Sequence, residues 1–104
     1  MIWTQKEYLL EFKMLNTLES LFDLVRERKK NPVANSYTNK LIADKSLSKA
    51  KVLEEINELI EAVEMKTNTI HETADVLYHL VVYLEGSNIR IEDVMIELEK
   101  RRSK

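Results

Sequence analysis

The chain has 104 residues, 44% of them hydrophobic and 33% charged, with a formal net charge of −2, one Gly, one Pro and no Cys. So many apolar side chains exclude a disordered chain, and so few chain breakers exclude a turn-rich β fold. The near-balanced charge speaks against non-specific nucleic-acid binding, and the missing cysteine excludes disulfides, zinc–thiolate sites and thiol nucleophiles.

A first helix is predicted from Thr4 to Lys29, where Tyr8, Phe12, Leu15, Leu18, Phe22 and Val25 recur at three- and four-residue steps and line one face. Thr4 and Glu7 have capping-box spacing, and Trp3 and Tyr8 stand where a hydrophobic staple belongs. Arg26, Arg28, Lys29 and Lys30 crowd the last turns, where cations suit the helix dipole and usually make a solvated end. Pro32 stops the helix, and Asn31 to Asn35 form a connector. Ser36 can cap a short helix to about Asp44, and Ser48 can cap a third from Lys49 to about Lys66. The third helix has Val52, Leu53, Ile56, Leu59, Ile60 and Val63 on one broad apolar face.

Thr69 can cap a fourth helix from Ile70 to Glu85, with Gly86 placed to end it. Between Val76 and Leu84 this helix is apolar on nearly every side, which marks it as central. A last helix is expected from about Ile91 to Arg102, with Ile91, Val94, Met95 and Leu98 inward. The fold class is therefore an all-α bundle of four to five helices, with residues 1–104 as a single domain. The N-terminus lacks the basic-then-apolar order of a signal peptide, and no apolar run is long enough to cross a bilayer. A cytoplasmic protein is expected, with neither membrane nor nucleic acid as partner.

The informative residues are acidic. Glu54, Glu55 and Glu58 form EExxE on the third helix, and Glu72 and Asp75 form ExxD on the fourth. Glu55 and Glu58 project within roughly 60° of each other, and Glu72, Asp75 and His79 share one stripe. Packed antiparallel, the two helices turn these stripes towards each other. Carboxylates held together raise one another's pKa, and a divalent cation relieves the conflict. Hard oxygen ligands select Mg²⁺, Mn²⁺ or Ca²⁺, and Mg²⁺ commonly completes its shell with substrate phosphates. The plainer alternative is a solvated acidic face, with Glu72 in a capping box with Thr69 and Asp75 paired locally with His79. His79 alone is more often a satisfied core histidine, and His71 reads as surface. One glycine cannot build a P-loop or a dinucleotide fingerprint, so any phosphates must be held by metal and by Lys or Arg side chains.

Three segments carry a family resemblance: SYTNKL at Ser36 to Leu41, KVLEEINE at Lys51 to Glu58 and ETADVLYHL at Glu72 to Leu80. Together with IRIEDVMIELEKR near the end, they resemble the phosphoribosyl-ATP pyrophosphohydrolase family of histidine biosynthesis, within the all-α MazG-like superfamily. The EExxE and ExxD pair marks the superfamily, whereas SYT upstream and YH after ExxD are particular to the family. The chain departs from the family pattern at Ala43-Asp44-Lys45-Ser46, where a Gly is common, and at Leu53, where a small residue is common.

The resemblance implies Mg²⁺, with Mn²⁺ as a substitute, held by Glu55, Glu58, Glu72 and Asp75. Glu54, Glu55 and Glu58 are then the candidate catalytic carboxylates. It also implies substrate contacts, for which Ser36, Tyr37, Thr38, Lys40, Lys51 and His79 are candidates, with Arg28 beside them. The implied reaction is hydrolysis of phosphoribosyl-ATP at the α–β anhydride to phosphoribosyl-AMP and pyrophosphate. Two alternatives stay open: a MazG-like enzyme for ordinary or damaged nucleotides, and a non-enzymatic helical interaction module. The all-round apolar fourth helix and the family resemblance lead to the expectation of a homodimer or higher assembly.

Overall fold

The computed structural model describes residues 5–102, with side chains from 16 onward. Five helices follow one another: α1 Gln5–Lys30, α2 Tyr37–Ala43, α3 Lys45–Met65, α4 Thr69–Gly86 and α5 Ile91–Arg102. No strand occurs among the described residues, so the fold is an all-α bundle. The Thr4–Glu7 capping pair, the Trp3–Tyr8 staple and the inward positions Tyr8, Phe12 and Leu15 lie outside the described residues and side chains.

Local chemistry sets most helix ends, and three of them correct the sequence reading. Ser36 caps α2 as expected, its Oγ accepting from the Asn39 N–H at 3.2 Å. Asp44, not Ser48, caps α3: its carboxylate accepts from the Leu47 N–H at 3.0 Å, so α3 starts at Lys45. A carboxylate at the positive helix end serves this purpose well, and Ser48 is left inside the helix, buried. Thr69 is the first residue of α4 rather than its cap. The preceding Asn68 has a left-handed backbone, φ 53°, and no side-chain cap bond. Gly86 is the last helical residue, and the left-handed turn beyond it falls on Asn88, φ 60°.

The core gathers Phe22 and Val25 from α1, Leu41 from α2, and Val81 and Val82 from α4, with Leu21, Ile42, Leu47, Tyr78, Leu84 and Ile91 packed against it. α4 is the element that α1, α2 and α3 all meet. Its central place follows from its all-round apolar sequence. Two expected faces are not core. On α3 the buried residues are Ser48, Glu55 and Ala62, whereas Leu53, Ile56, Ile60 and Val63 are exposed. α5 has no buried residue, and Met95 and Leu98 stay about half exposed. Helical periodicity identifies an apolar face but not what covers it.

The basic end of α1 is not simply solvated. Arg26 forks between two carboxylates, reaching Glu85 at 2.8 Å and Glu92 at 2.9 Å, which ties α1 to the end of α4 and the start of α5. Lys29 donates to the Glu85 carbonyl at 2.6 Å. Glu85 is buried, so these cations supply the partners that a buried carboxylate requires.

Candidate active site

α3 and α4 form a helical hairpin. Met65 ends α3, Lys66 takes the left-handed conformation (φ 56°), and α4 begins at Thr69. So short a turn makes the helices antiparallel. It brings the acidic stripes together: single ligand atoms of Glu55, Glu58 and Glu72 all lie within 4.8 Å of one another. A second such group, sharing Glu72, is formed with His71 and Asp75. Ala62, one turn on from Glu58, is small and buried and leaves a cleft of about 160 Å³ lined by Glu58, Glu61, Met65, Asn68 and Glu72 among others.

Glu55 is 6% exposed and its Oε2 is buried without a hydrogen-bond partner, as is Oε2 of Glu72. Burial, then the neighbouring Glu58, pushes the Glu55 carboxyl above its ordinary value, while His79 opposes the shift. Burial, then Glu58, does the same to Glu72. Buried oxygens without donors are rare because each forfeits its hydration. The carboxylates that carry them meet from two helices, together with Glu58, in a donor set suited to a hard divalent cation.

Lys51 borders this cluster at 3.1 Å from Glu54 and 3.8 Å from Glu55. The hydrogen bond that it donates to Glu54 raises its pKa, so it remains a cation. The pair with Glu55 at four-residue spacing is present, but the closer partner is Glu54.

His79 is buried beside the cluster, 2.9 Å from the Asp75 backbone carbonyl through Nδ1 and 3.1 Å from the Tyr37 hydroxyl through Nε2. A carbonyl only accepts, so Nδ1 carries the hydrogen, and in the neutral ring Nε2 is the atom that accepts from the Tyr37 hydroxyl. The local ion pair of Asp75 is made with His71 instead, at 3.3 Å. His71, read as plain surface, is exposed but belongs to the acidic group. Its four-residue spacing from Asp75 was the signal for this.

α2 supplies the neighbouring wall. Tyr37 stacks on Tyr78 with ring centroids 6.3 Å apart and meets His79 edge-on. Thr38 is buried with its hydroxyl bonded to that of Tyr78, so it borders the site through Tyr78. Tyr78 thus joins α2 to α4, alongside the Tyr37–His79 hydrogen bond. Ser36 receives a hydrogen bond from Arg28 at 3.1 Å, and Lys40 lies at the edge of a separate cleft beside Tyr37. The structure therefore brings Glu54, Glu55, Glu58, Glu72, Asp75, Lys51, His79 and Tyr37 into one neighbourhood. Ser36, Arg28 and Lys40 stand beyond Tyr37.

Residues 18–102 match the family model described as phosphoribosyl-ATP pyrophosphohydrolase. The chain belongs to the phosphoribosyl-ATP pyrophosphohydrolase family. Membership makes it a hydrolase, and the matched stretch contains every residue of the site just described. Among its relatives is the phosphoribosyl-ATP pyrophosphatase of Bacillus thuringiensis (strain Al Hakam), 43% identical over 96 residues that cover 88% of each chain. The protein of the same name from Clostridium acetobutylicum is 42% identical over 91 residues, covering 84% of this chain and 82% of its own.

Proposed function

We propose that this family member hydrolyses phosphoribosyl-ATP at the α–β phosphoanhydride, releasing pyrophosphate and phosphoribosyl-AMP, as a step of histidine biosynthesis in the cytoplasm. The observation that carries this reading is the pair of unpartnered buried oxygens on Glu55 and Glu72, converging with Glu58 between α3 and α4. Glu55, Glu58, Glu72 and Asp75 are the residues to hold Mg²⁺, or Mn²⁺ in its place. When bound, that ion neutralises the charge of the phosphate chain. The remaining steps belong to the side chains. A carboxylate among Glu54, Glu55 and Glu58 accepts a proton from water as the water oxygen bonds to phosphorus. The bridging oxygen then departs with the pyrophosphate. Lys51 faces phosphate from the rim of the cluster, and Tyr37, oriented by His79, forms a wall for the nucleoside.

The experiment is direct. With Mg²⁺, the protein is incubated with phosphoribosyl-ATP and with a panel of ordinary nucleoside triphosphates. Pyrophosphate and phosphoribosyl-AMP should appear in equal amounts. Faster hydrolysis of the ordinary nucleotides, or release of single orthophosphates, moves the protein to the house-cleaning reading.

The protein acts as a homodimer or higher homo-oligomer. On α3, Leu53, Ile56, Ile60 and Val63 are exposed along one stripe, and on α4 so are Ile70, Leu77 and Leu80. Both stripes turn in the same sense away from the shared acidic face, by roughly 80–180° at 100° per residue. On antiparallel helices that places them on one side of the hairpin. A contiguous apolar surface of this kind marks a protein interface. The Cα radius of gyration of 16.0 Å also exceeds the roughly 13 Å of a compact chain of about this length. No described helix is long and apolar enough to cross a membrane, so a bilayer is not what covers the stripe by spanning.

A further inference from the structure

Beside Tyr37 lies an open cleft of about 430 Å³ lined by Val33, Asn35, Ser36, Tyr37, Asn39 and Lys40. Its volume is in the range of about 300–1,000 Å³ typical of small-molecule sites. Its walls are braced. The Asn39 side chain accepts from the Val33 N–H at 2.9 Å and donates to the Arg28 carbonyl at 2.7 Å, binding the α1–α2 connector to α2 at both ends. The Ser36 hydroxyl is fixed by the Arg28 guanidinium on one side and the Asn39 N–H on the other.

The charge here is unbalanced. Arg26, Lys29 and Lys51 each face a carboxylate. Arg28 is half-buried, yet the only hydrogen bond of its guanidinium among the described residues goes to a neutral hydroxyl, and no described carboxylate comes within 4.0 Å of it or of Lys40. A half-buried guanidinium without a counter-ion, pinned beside a braced cleft that holds a second cation, is arranged for an anion.

The substrate of the reading above bears phosphate at two ends. One end is the triphosphate, for which the acidic cluster and its metal serve. The other is the phosphomonoester of the phosphoribosyl group, with about −1.5 to −2 charges at neutral pH and no acidic cluster nearby to hold a second metal. Tyr37 belongs to both places: its hydroxyl is tied to His79 beside the acidic cluster, and its ring lines the cleft. We propose that this cleft, with Lys40 on its wall and Arg28 beside it at Ser36, seats the ribose phosphomonoester end of the substrate and so separates phosphoribosyl-ATP from ordinary nucleoside triphosphates.

This proposal rests on the hydrolysis reading for its substrate, and two measurements keep the two apart. In the first, kcat/KM for phosphoribosyl-ATP is divided by kcat/KM for ATP, in wild type, Lys40→Gln and Arg28→Gln. ATP has no phosphomonoester end, so the ratio should fall at least about tenfold in each variant, with helix content retained. Equal losses on both substrates, or an unchanged ratio in folded Lys40→Gln, overturn the proposal. In the second, ribose 5-phosphate is titrated against the wild-type protein in EDTA while backbone amide resonances are followed. Shifts should centre on residues 33–40, should weaken in Lys40→Gln, and should be absent with ribose. Shifts centred on the α3–α4 acidic cluster, or none at tens of millimolar, overturn it. If wild type fails to hydrolyse phosphoribosyl-ATP, the hydrolysis reading falls, and the ribose 5-phosphate titration still decides whether the cleft is an anion site.

Discussion

Glu55 shows how a single side chain can be costly to the fold and useful to the site. Its buried, unpartnered Oε2 and its neighbour Glu58 make the ionised form unfavourable. In EDTA, Glu55→Gln is expected to melt at or above the wild-type temperature, because it removes a buried like-charge contact. The same variant should lose turnover and lose the rise in melting temperature that saturating Mg²⁺ gives wild type. A wild-type melting curve indifferent to Mg²⁺ counts against a preformed metal site. Lys51 makes the opposite case. Its links to Glu54 and Glu55 lie at the rim, where ion pairs add little to stability. Lys51→Met should therefore change the unfolding free energy little while lowering kcat/KM by at least about tenfold. Comparable small losses in both would reduce Lys51 to a surface ion pair.

Between elements, the contacts are short polar links as often as apolar packing. Asp44 ends α2 and caps α3 with one residue, so Asp44→Ala should cost about 0.5–2 kcal/mol in denaturant unfolding. Ser48→Ala should cost less than Asp44→Ala, because the buried Ser48 hydroxyl has no partner to lose. The start of α5 is held to α1 by Arg26 and Glu92, and the Arg26 guanidinium lowers the Glu92 pKa to about 2 from its ordinary 4.5. For a carboxyl with a depressed folded-state value, the stabilisation is present above 4.5 and is lost as pH falls through about 2. Glu92→Gln should thus be less stable than wild type at pH 7, and the gap should close between about pH 4.5 and 2. A gap independent of pH would show that the pair does not hold α5 electrostatically.

Across the whole molecule, the exposed apolar stripes are the feature on which the proposed self-association rests. Leu53, Ile60 and Val63 are each more than half exposed, an unusual state for consecutive inward-type positions of one helix. Wild type is expected to sediment as a dimer or larger species at micromolar concentration, and Ile60→Glu to shift it towards monomer with loss of thermal stability. A monomeric wild type would leave these stripes unexplained and remove self-association from the proposal.

The sequence determined the helices almost by itself. Five stretches with helical periodicity, one Gly and one Pro leave few other choices, and α2, α5 and the long α1 begin and end close to where their residues indicate. The acidic stripes were legible too, since a one-turn spacing fixes which carboxylates share a face. Tertiary structure decided what that periodicity cannot express. The apolar stripes of α3 and α5 are plain in the sequence, but a face reports hydrophobicity and not its cover. α3 instead turns Ser48, Glu55 and Ala62 towards α4. Capping at α3 went to Asp44 because a carboxylate one residue past α2 reaches the orphan N–H groups before Ser48 can. The links Arg26–Glu85, Tyr37–His79 and Thr38–Tyr78 join residues 59, 42 and 40 positions apart. No local pattern encodes such distances. They exist because α4 is buried among three helices, and the packing of those helices chooses which side chains meet.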